Sequence, residues 1–110
     1  MAETITAAQL RAAADLISDR RKWTTYAYAR YRNGVRASVE EPKARRWCAV
    51  GAVVRVSGVP ILRIGAALAP HGGDRELSEI NDCDGHAAAI AELRRLADLD
   101  EARERAVSNA

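Results

Sequence analysis

Residues 43–58 read Lys-Ala-Arg-Arg-Trp-Cys-Ala-Val-Gly-Ala-Val-Val-Arg-Val-Ser-Gly, and the fold turns on this stretch. From Trp47 to Val54 it is apolar without interruption, so it is buried in whatever structure it adopts. The run is also far shorter than the about 20 residues a membrane span needs. Periodicity alone does not separate a buried strand from a buried helix. Four valines argue for strand, whereas the length, Pro42 before the run and Gly58 after it argue for helix. Helix over 44–57 is the reading taken. On it, Gly51-Ala52 is a flat spot where another backbone comes close.

Toward the N-terminus the period changes to two. Thr24, Tyr26, Tyr28, Arg30 and Arg32 alternate with Trp23, Ala27, Ala29 and Tyr31, and Asn33-Gly34 follows. Asn-Gly suits a two-residue type I′ hairpin turn, since both central residues need positive φ. That register sets Arg32 against Val35, Arg30 against Ala37 and Tyr28 against Val39, the last a favourable aromatic–β-branched pair. The hairpin ends near Glu41-Pro42. An isolated hairpin is marginal, so it must lie on helices. Before it, Thr6 with Gln9 three residues on forms a capping box, and Ile5 and Leu10 sit at staple positions. Leu10, Ala13, Ala14 and Ile17 then recur at helical spacing, predicting a helix over 7–18.

Toward the C-terminus, Pro60 opens a short helix over 61–69 that stops at Pro70-His-Gly-Gly73. A further short helix over 75–80 leads to the polar turn Asn81-Asp-Cys-Asp-Gly85. The last helix runs over 86–106 with Asp84 as N-cap and Ile90, Leu93, Leu96 and Ala97 on its buried side. Past Leu99 the sequence turns polar, with Glu101 and Arg105 spaced for an i,i+4 pair.

These elements describe one α+β domain over residues 1–110. Three longer helices and one or two short ones carry a packed β-hairpin. The compact part is about 5–99, and 100–110 is a polar helical extension. The length allows one domain. Of 53 apolar residues 23 are alanine, so 30 larger ones build the core and the stability is modest, about 5–8 kcal/mol by the per-residue figure. Two cysteines are too few for a disulfide scaffold, and Met-Ala-Glu-Thr-Ile-Thr lacks the basic-then-apolar pattern of a signal peptide. A small soluble cytoplasmic protein is expected.

The net charge of +2 hides a segregation. Residues 1–19 balance to −2, residues 20–63 to +9 and residues 64–110 to −5, and every aromatic residue lies in the basic block. Either the middle pairs with the acidic ends, or a basic face meets an acidic protein or a nucleic acid. The candidate partner-binding residues are Arg20, Arg21, Lys22, Tyr26, Arg30, Arg32, Arg36, Lys43, Arg45 and Arg46. Tyr26, Tyr28, Arg30 and Arg32 share a face suited to base stacking and phosphate contact. Val35, Ala37 and Val39 lie on that face too, which assigns Tyr28 to the core.

Catalysis and metal binding have thinner support. Cys48 sits early in the expected helix among Lys43, Arg45, Arg46 and Arg55, which would lower a thiol pKa, and His71 or His86 would have to serve as base. It also sits in the most apolar stretch, where a thiol packs as a small hydrophobe. A Cys48-dependent hydrolase or transferase is therefore the third reading. Cys83-x-x-His86 has ligand-like spacing but no second pair, and the Asp82–Gly85 segment cannot be a calcium loop because Ile80 and Ala91 fall at ligand positions. No phosphate-binding glycine motif occurs. No metal and no cofactor are expected.

Trp47-Cys-Ala-Val-Gly-Ala52, with Trp23-Thr24, Ala29-Arg30, Gly34 and Asn81-Asp82, resembles an uncharacterised bacterial and phage family, a domain of unknown function numbered 6197. The likeness spans about 8–97. Ile80 stands where the family usually has Trp before Asn-Asp, and the segment joining the two motifs is short. The resemblance implies no activity. It favours the helical reading of 44–57 and groups Trp23, Trp47, Cys48, Gly51, Asn81 and Asp82, with Asp82 or Asp84 capping the last helix. The expected function is a non-enzymatic interaction module, an accessory of phages or mobile elements, binding an acidic protein surface through its basic hairpin. A nucleic-acid-binding protein using the same face is the alternative.

Overall fold

The computed structural model describes residues 4–71 and 76–108. In chain order the elements are α1 (Ala7–Leu16), β1 (Ala29–Tyr31), β2 (Ala44–Trp47), α2 (Ala49–Ser57), α3 (Ile61–Leu68), α4 (Leu77–Glu79) and α5 (His86–Ser108). Single 3-10 turns cover Arg20–Lys22 and Ala69–His71, and a π-helical turn covers Ile80–Asp84. The fold is α+β, helices carrying one two-stranded antiparallel sheet.

Local signals start and stop the helices. The Thr6 hydroxyl accepts the Gln9 N–H at 3.1 Å while the Gln9 side chain accepts the Thr6 N–H at 2.9 Å, so two donors that α1 cannot satisfy internally are met. Gly58, at φ 75°, turns the chain out of α2 in a conformation that a Cβ disfavours. Pro60 precedes α3. The helix α1 packs chiefly on α5 and α2, and Leu10, Ile17, Val53 and Leu93 are wholly buried there. Leu96 and Ala97 are buried as expected, and Ile90 is half-buried. Glu101 accepts from Arg11 of α1 at 2.9 Å, and Asp98 accepts from the same guanidinium at 2.6 Å. The polar end of α5 is thus fastened to the first helix. Arg103 adds a bond to the Pro70 carbonyl at 2.8 Å.

The stretch 44–57 is not one helix. Residues 44–47 form β2, and the chain breaks at Cys48 before α2 begins. The physical reason lies far away in sequence. The strand β1 offers an edge that 44–47 completes, with Ala29 opposite Trp47, Arg30 opposite Arg46 and Tyr31 opposite Ala44 across a bulge. The valines that argued for strand, Val50, Val53, Val54 and Val56, lie in α2, the first three buried.

The hairpin also departs from expectation. The Asn33 side chain accepts the Val35 N–H at 3.0 Å, an Asx turn, and Gly34 alone takes positive φ, 91°. Gly34 N–H bonds to Tyr31 O and Tyr31 N–H to Val35 O. The loop therefore has three residues, a turn followed by a left-handed glycine, and not the two of type I′. Arg30 consequently faces Arg36 where Ala37 was expected. The Tyr28–Val39 pair does not form: Val39 is buried while Tyr28 is 51% exposed, so Tyr28 is not a core residue. The expected helix over 75–80 is only Leu77–Glu79, running into the π-helical turn. Arg75 and the Gly72-Gly73 part of the expected stop lie outside the described residues.

Candidate functional site

The π-helical turn carries Asn81 and Asp82 back to the start of α2. Asn81 is 0% exposed, and its amide makes four bonds. Its Oδ1 accepts the Trp23 indole N–H at 2.7 Å and the Ala49 backbone N–H at 2.9 Å. Its Nδ2 donates to Thr24 O at 3.1 Å and to Asp82 Oδ1 at 2.9 Å. Every hydrogen-bonding position of a buried amide is thereby used, the condition under which such a group specifies structure. Asp82 Oδ1 also accepts the Tyr26 N–H at 3.0 Å. The Asn-Asp pair thus satisfies α2 and the 23–26 segment. Asp82 was expected to cap α5, but it lies within the π-helical turn with its Oδ1 turned to Tyr26 and Asn81, and Gly85 directly precedes α5.

The residues that the resemblance grouped lie together. Thr24 N–H bonds to Trp47 O at 3.1 Å, and Cys48 N–H to Tyr28 O at 3.3 Å. Cys48 is the N-cap of α2, its sulfur accepting the Gly51 N–H at 3.3 Å. Gly51 packs so closely that a Cβ would lie 1.9 Å from Tyr28 O, which explains the expected flat spot. His86 stacks at a tilt on Trp23, centroids 5.1 Å apart, and its Nε2 lies 2.6 Å from Ile17 O.

Burial pushes the Cys48 thiol up to about 11, with the Asp82 charge adding to the shift and the bonds from the Gly51 and Val50 N–H groups opposing it. A nucleophile needs the opposite shift. His86 is engaged by Ile17 O, and the buried His71 has its Nδ1 3.5 Å from Asp100 Oδ1. Neither imidazole is hydrogen-bonded to the thiol. Among the described residues no three His, Cys, Asp or Glu side chains gather in a way that would hold a metal ion.

A second arrangement lies beside this hub. Arg30 stands opposite Arg46 on one side and Arg36 on the other, so three guanidinium-bearing residues sit abreast across the strands. Like charges placed directly opposite are destabilising unless something answers them. Here backbone and hydroxyl oxygens answer part of it. Arg30 donates to Thr24 Oγ1, Gly34 O and Thr25 O, and Arg36 donates to Tyr26 O at 3.0 Å. Tyr26 itself has φ 58°, the left-handed region that a bulky side chain seldom enters, held there by the bonds from its own N–H to Asp82 and from Arg36 to its carbonyl.

The rest of the expected basic face divides. Arg21 is bound twice by Asp19, at 3.0 and 3.2 Å, and Arg45 donates to Pro42 O and Ala44 O. Arg20, Lys22, Arg32 and Lys43 are exposed, Arg46 is half-buried, and none of the five has an acidic partner among the described residues. Apart from Asp19, the acids of the ends whose ion pairs are seen meet cations outside the basic block: Asp98 and Glu101 pair with Arg11, and Asp15 with Arg94. Tyr26 is 66% exposed. Sequence reasoning missed the Arg36–Arg30–Arg46 row, because Arg46 arrives from a strand read as helix and the turn shifts the partner of Arg30 by one.

Two depressions flank Tyr28. One, of about 480 Å³, is lined by Tyr26, Arg36, Cys48, Ser78 and Asp82 among others. The other, of about 680 Å³, lies among α2, α3, α4 and α5 and is mainly apolar.

Compared with known proteins, residues 1–101 match the model of a family of unknown function, DUF6197. No curated protein and no solved structure matches the chain.

Proposed function

The chain belongs to DUF6197, and from that premise we propose that it is a small non-enzymatic interaction module that binds an acidic protein surface through its basic hairpin region. The observation that carries this reading is the row Arg36–Arg30–Arg46, three cations abreast with no acid in contact among the described residues. An arrangement that costs stability in the free protein is relieved when carboxylates from outside approach it. Arg20, Lys22, Arg32 and Lys43 extend the positive field, and of the acidic ends Asp98 and Glu101 pair with Arg11 and Asp15 with Arg94, while Asp19 answers Arg21 alone. The raised Cys48 thiol supports binding over nucleophilic chemistry. A role as an accessory of phages or mobile elements is part of the proposal and rests on the resemblance alone.

A nucleic-acid partner is the second reading, favoured by the exposed rings of Tyr26 and Tyr28 beside Arg36. Charge distribution argues for protein. A duplex carries a charge every about 1.7 Å and calls for a run of free cations, whereas Arg21 is paired with Asp19 and Arg30, Arg36 and Arg45 already donate to oxygens of this chain.

Affinity capture from host lysate, with and without nuclease, tests the proposal against an Arg32→Glu/Lys43→Glu/Arg46→Glu variant whose melting temperature is measured in parallel. A protein retained after nuclease by the wild type and lost by the variant supports it. Loss of all captured protein on nuclease treatment, with DNA or RNA affinity falling steeply in salt, replaces it with the nucleic-acid reading.

A further inference from the structure

The smaller cleft beside Tyr28, of about 480 Å³, holds one charge of each sign, Arg36 and Asp82. Both are fixed on the same residue. Arg36 Nη2 donates to the Tyr26 carbonyl and Asp82 Oδ1 accepts the Tyr26 N–H, each at 3.0 Å. The N and O of one residue are at most about 4 Å apart, so Nη2 and Oδ1 stand within about 10 Å of each other. They form no ion pair, and among the described residues neither side chain meets another of opposite charge. Arg36 Nε and Nη1 and Asp82 Oδ2 make no bond there either.

This arrangement selects a ligand by charge. A lone anion drawn to Arg36 comes up against Asp82, and a lone cation drawn to Asp82 comes up against Arg36. A ligand bearing both charges is attracted at each end. The start of α2 reaches the cleft through Cys48 but offers no rival anion site. Its Ala49 N–H is bonded to Asn81, its Val50 and Gly51 N–H groups to the Cys48 sulfur and its Ala52 N–H to Cys48 O. Anion recognition therefore falls to Arg36. Tyr26, which both charges hold, lines the cleft in a left-handed conformation, and strain of that kind gathers at ligand clamps.

We infer that the cleft binds a free α-amino acid, its carboxylate held by Arg36, its ammonium by Asp82 and its side chain received beside Tyr26. An α-amino acid carries its charges about 3 Å apart, and a hydrogen bond of about 2.8 Å at each end gives a reach of about 8–9 Å. That reach matches the separation of the two protein charges. The volume also lies within the about 300–1,000 Å³ of small-molecule sites. Arg36 is the one residue shared with the arginine row, and the site needs no protein partner.

Nuclear magnetic resonance titration of the isotope-labelled full chain with the common α-amino acids, one at a time to about 10 mM, tests this. At least one is expected to shift the amide signals of Tyr26, Ala37 and Cys48 saturably. Its methyl ester, which lacks the carboxylate, and its N-acetyl derivative, which lacks the ammonium, are expected to bind at least about tenfold more weakly. Arg36→Gln and Asp82→Asn remove the charges from the protein and should give the same loss. Asp82→Asn keeps an oxygen for the Tyr26 N–H, thermal melting of both variants checks folding, and the two ligand derivatives need no variant. The Arg32→Glu/Lys43→Glu/Arg46→Glu variant is expected to keep the affinity within about threefold, so this site and the acid-binding face fail separately. An ester or an N-acetyl derivative that binds as tightly as its parent overturns the paired recognition. A γ-amino acid or a dipeptide that binds more tightly than every α-amino acid overturns the ligand class. No saturable shift with any of them overturns the site.

Discussion

The side-chain oxygen of Asn81 accepts the backbone N–H of Ala49 at 2.9 Å across 32 positions of sequence. The first free donor of α2 is therefore satisfied by the π-helical turn, and the indole of Trp23 shares the same oxygen at 2.7 Å. Removing the amide leaves both donors buried without an acceptor, each a desolvation penalty of about 1–3 kcal/mol. Asn81→Ala is expected to lower stability by about 3 kcal/mol, a fall in melting temperature of roughly 10 °C or more. Thermal denaturation followed by circular dichroism checks it, and a loss under about 1 kcal/mol would show that water replaces the amide.

Gly51 and Gly65 both lie inside helices, yet alanine should act on them in opposite directions. At Gly51 the new Cβ meets the Tyr28 carbonyl, backbone against backbone, and nothing flexible can yield. Gly51→Ala is expected to cost about 3 kcal/mol or more. Nothing lies within 4 Å of a Cβ at Gly65, so Gly65→Ala should gain about 0.5–1 kcal/mol from helix propensity. Urea denaturation of the two variants gives both signs.

The two cysteines should differ in alkylation. Cys83 is exposed, whereas the Cys48 thiol is 5% exposed and pushed up to about 11 by burial. Iodoacetamide at pH 8 is expected to modify Cys83 in the folded protein and Cys48 only in denaturant, read by peptide mass spectrometry. Modification of native Cys48 at neutral pH would revive the nucleophile reading.

Acid should loosen the outer ion pairs in a definite window. The hydrogen bond from Arg11 holds the Glu101 carboxyl below its ordinary value, and Arg21 holds that of Asp19 at about 2. For a carboxyl depressed in the folded state, the stabilisation is full above the unfolded pKa, about 4, and disappears as pH falls through the folded one. Glu101→Gln and Asp19→Asn are therefore expected to flatten the fall in melting temperature between about pH 5 and pH 2 and to leave the curve above pH 6 unchanged in shape. Both pairs are solvent-exposed, so added salt should diminish the difference.

Tyr26 holds a left-handed backbone with its ring mostly in solvent. Asparagine tolerates that region far better, so Tyr26→Asn should raise stability, by up to about 1 kcal/mol. If the same change weakens capture of a partner by the basic face, the strain is retained for binding.

What the sequence disclosed and what it hid divide by distance. Thr6 with Gln9, Gly58 and Pro60 act on neighbours a few residues away, and the helix limits they imply lie close to the observed ones. Arg45-Arg46-Trp47 became strand because Ala29–Tyr31 pairs with it, and no periodicity within 44–57 carries that information. Asn33-Gly34 marked the turn correctly, but a single side-chain bond from Asn33 to Val35 selected the three-residue loop and moved the register by one. The grouping of Trp23, Trp47, Cys48, Asn81 and Asp82 came from resemblance and not from spacing. Its physical basis, one buried amide with four partners, required the folded chain.

The pairing of α1 with α5 bears on how the protein is made. Leu10, Ala13, Ala14 and Ile17 lie in a helix covered by α2, about forty positions later, and by α5, about eighty positions later. At about 5–20 residues per second, the first helix leaves the ribosome several seconds before Leu93 and Leu96 are available to cover it. The nascent chain must therefore carry an incompletely covered apolar helix until α5 is made, and premature termination before α5 would release a fragment that exposes part of that stripe to chaperones and proteases.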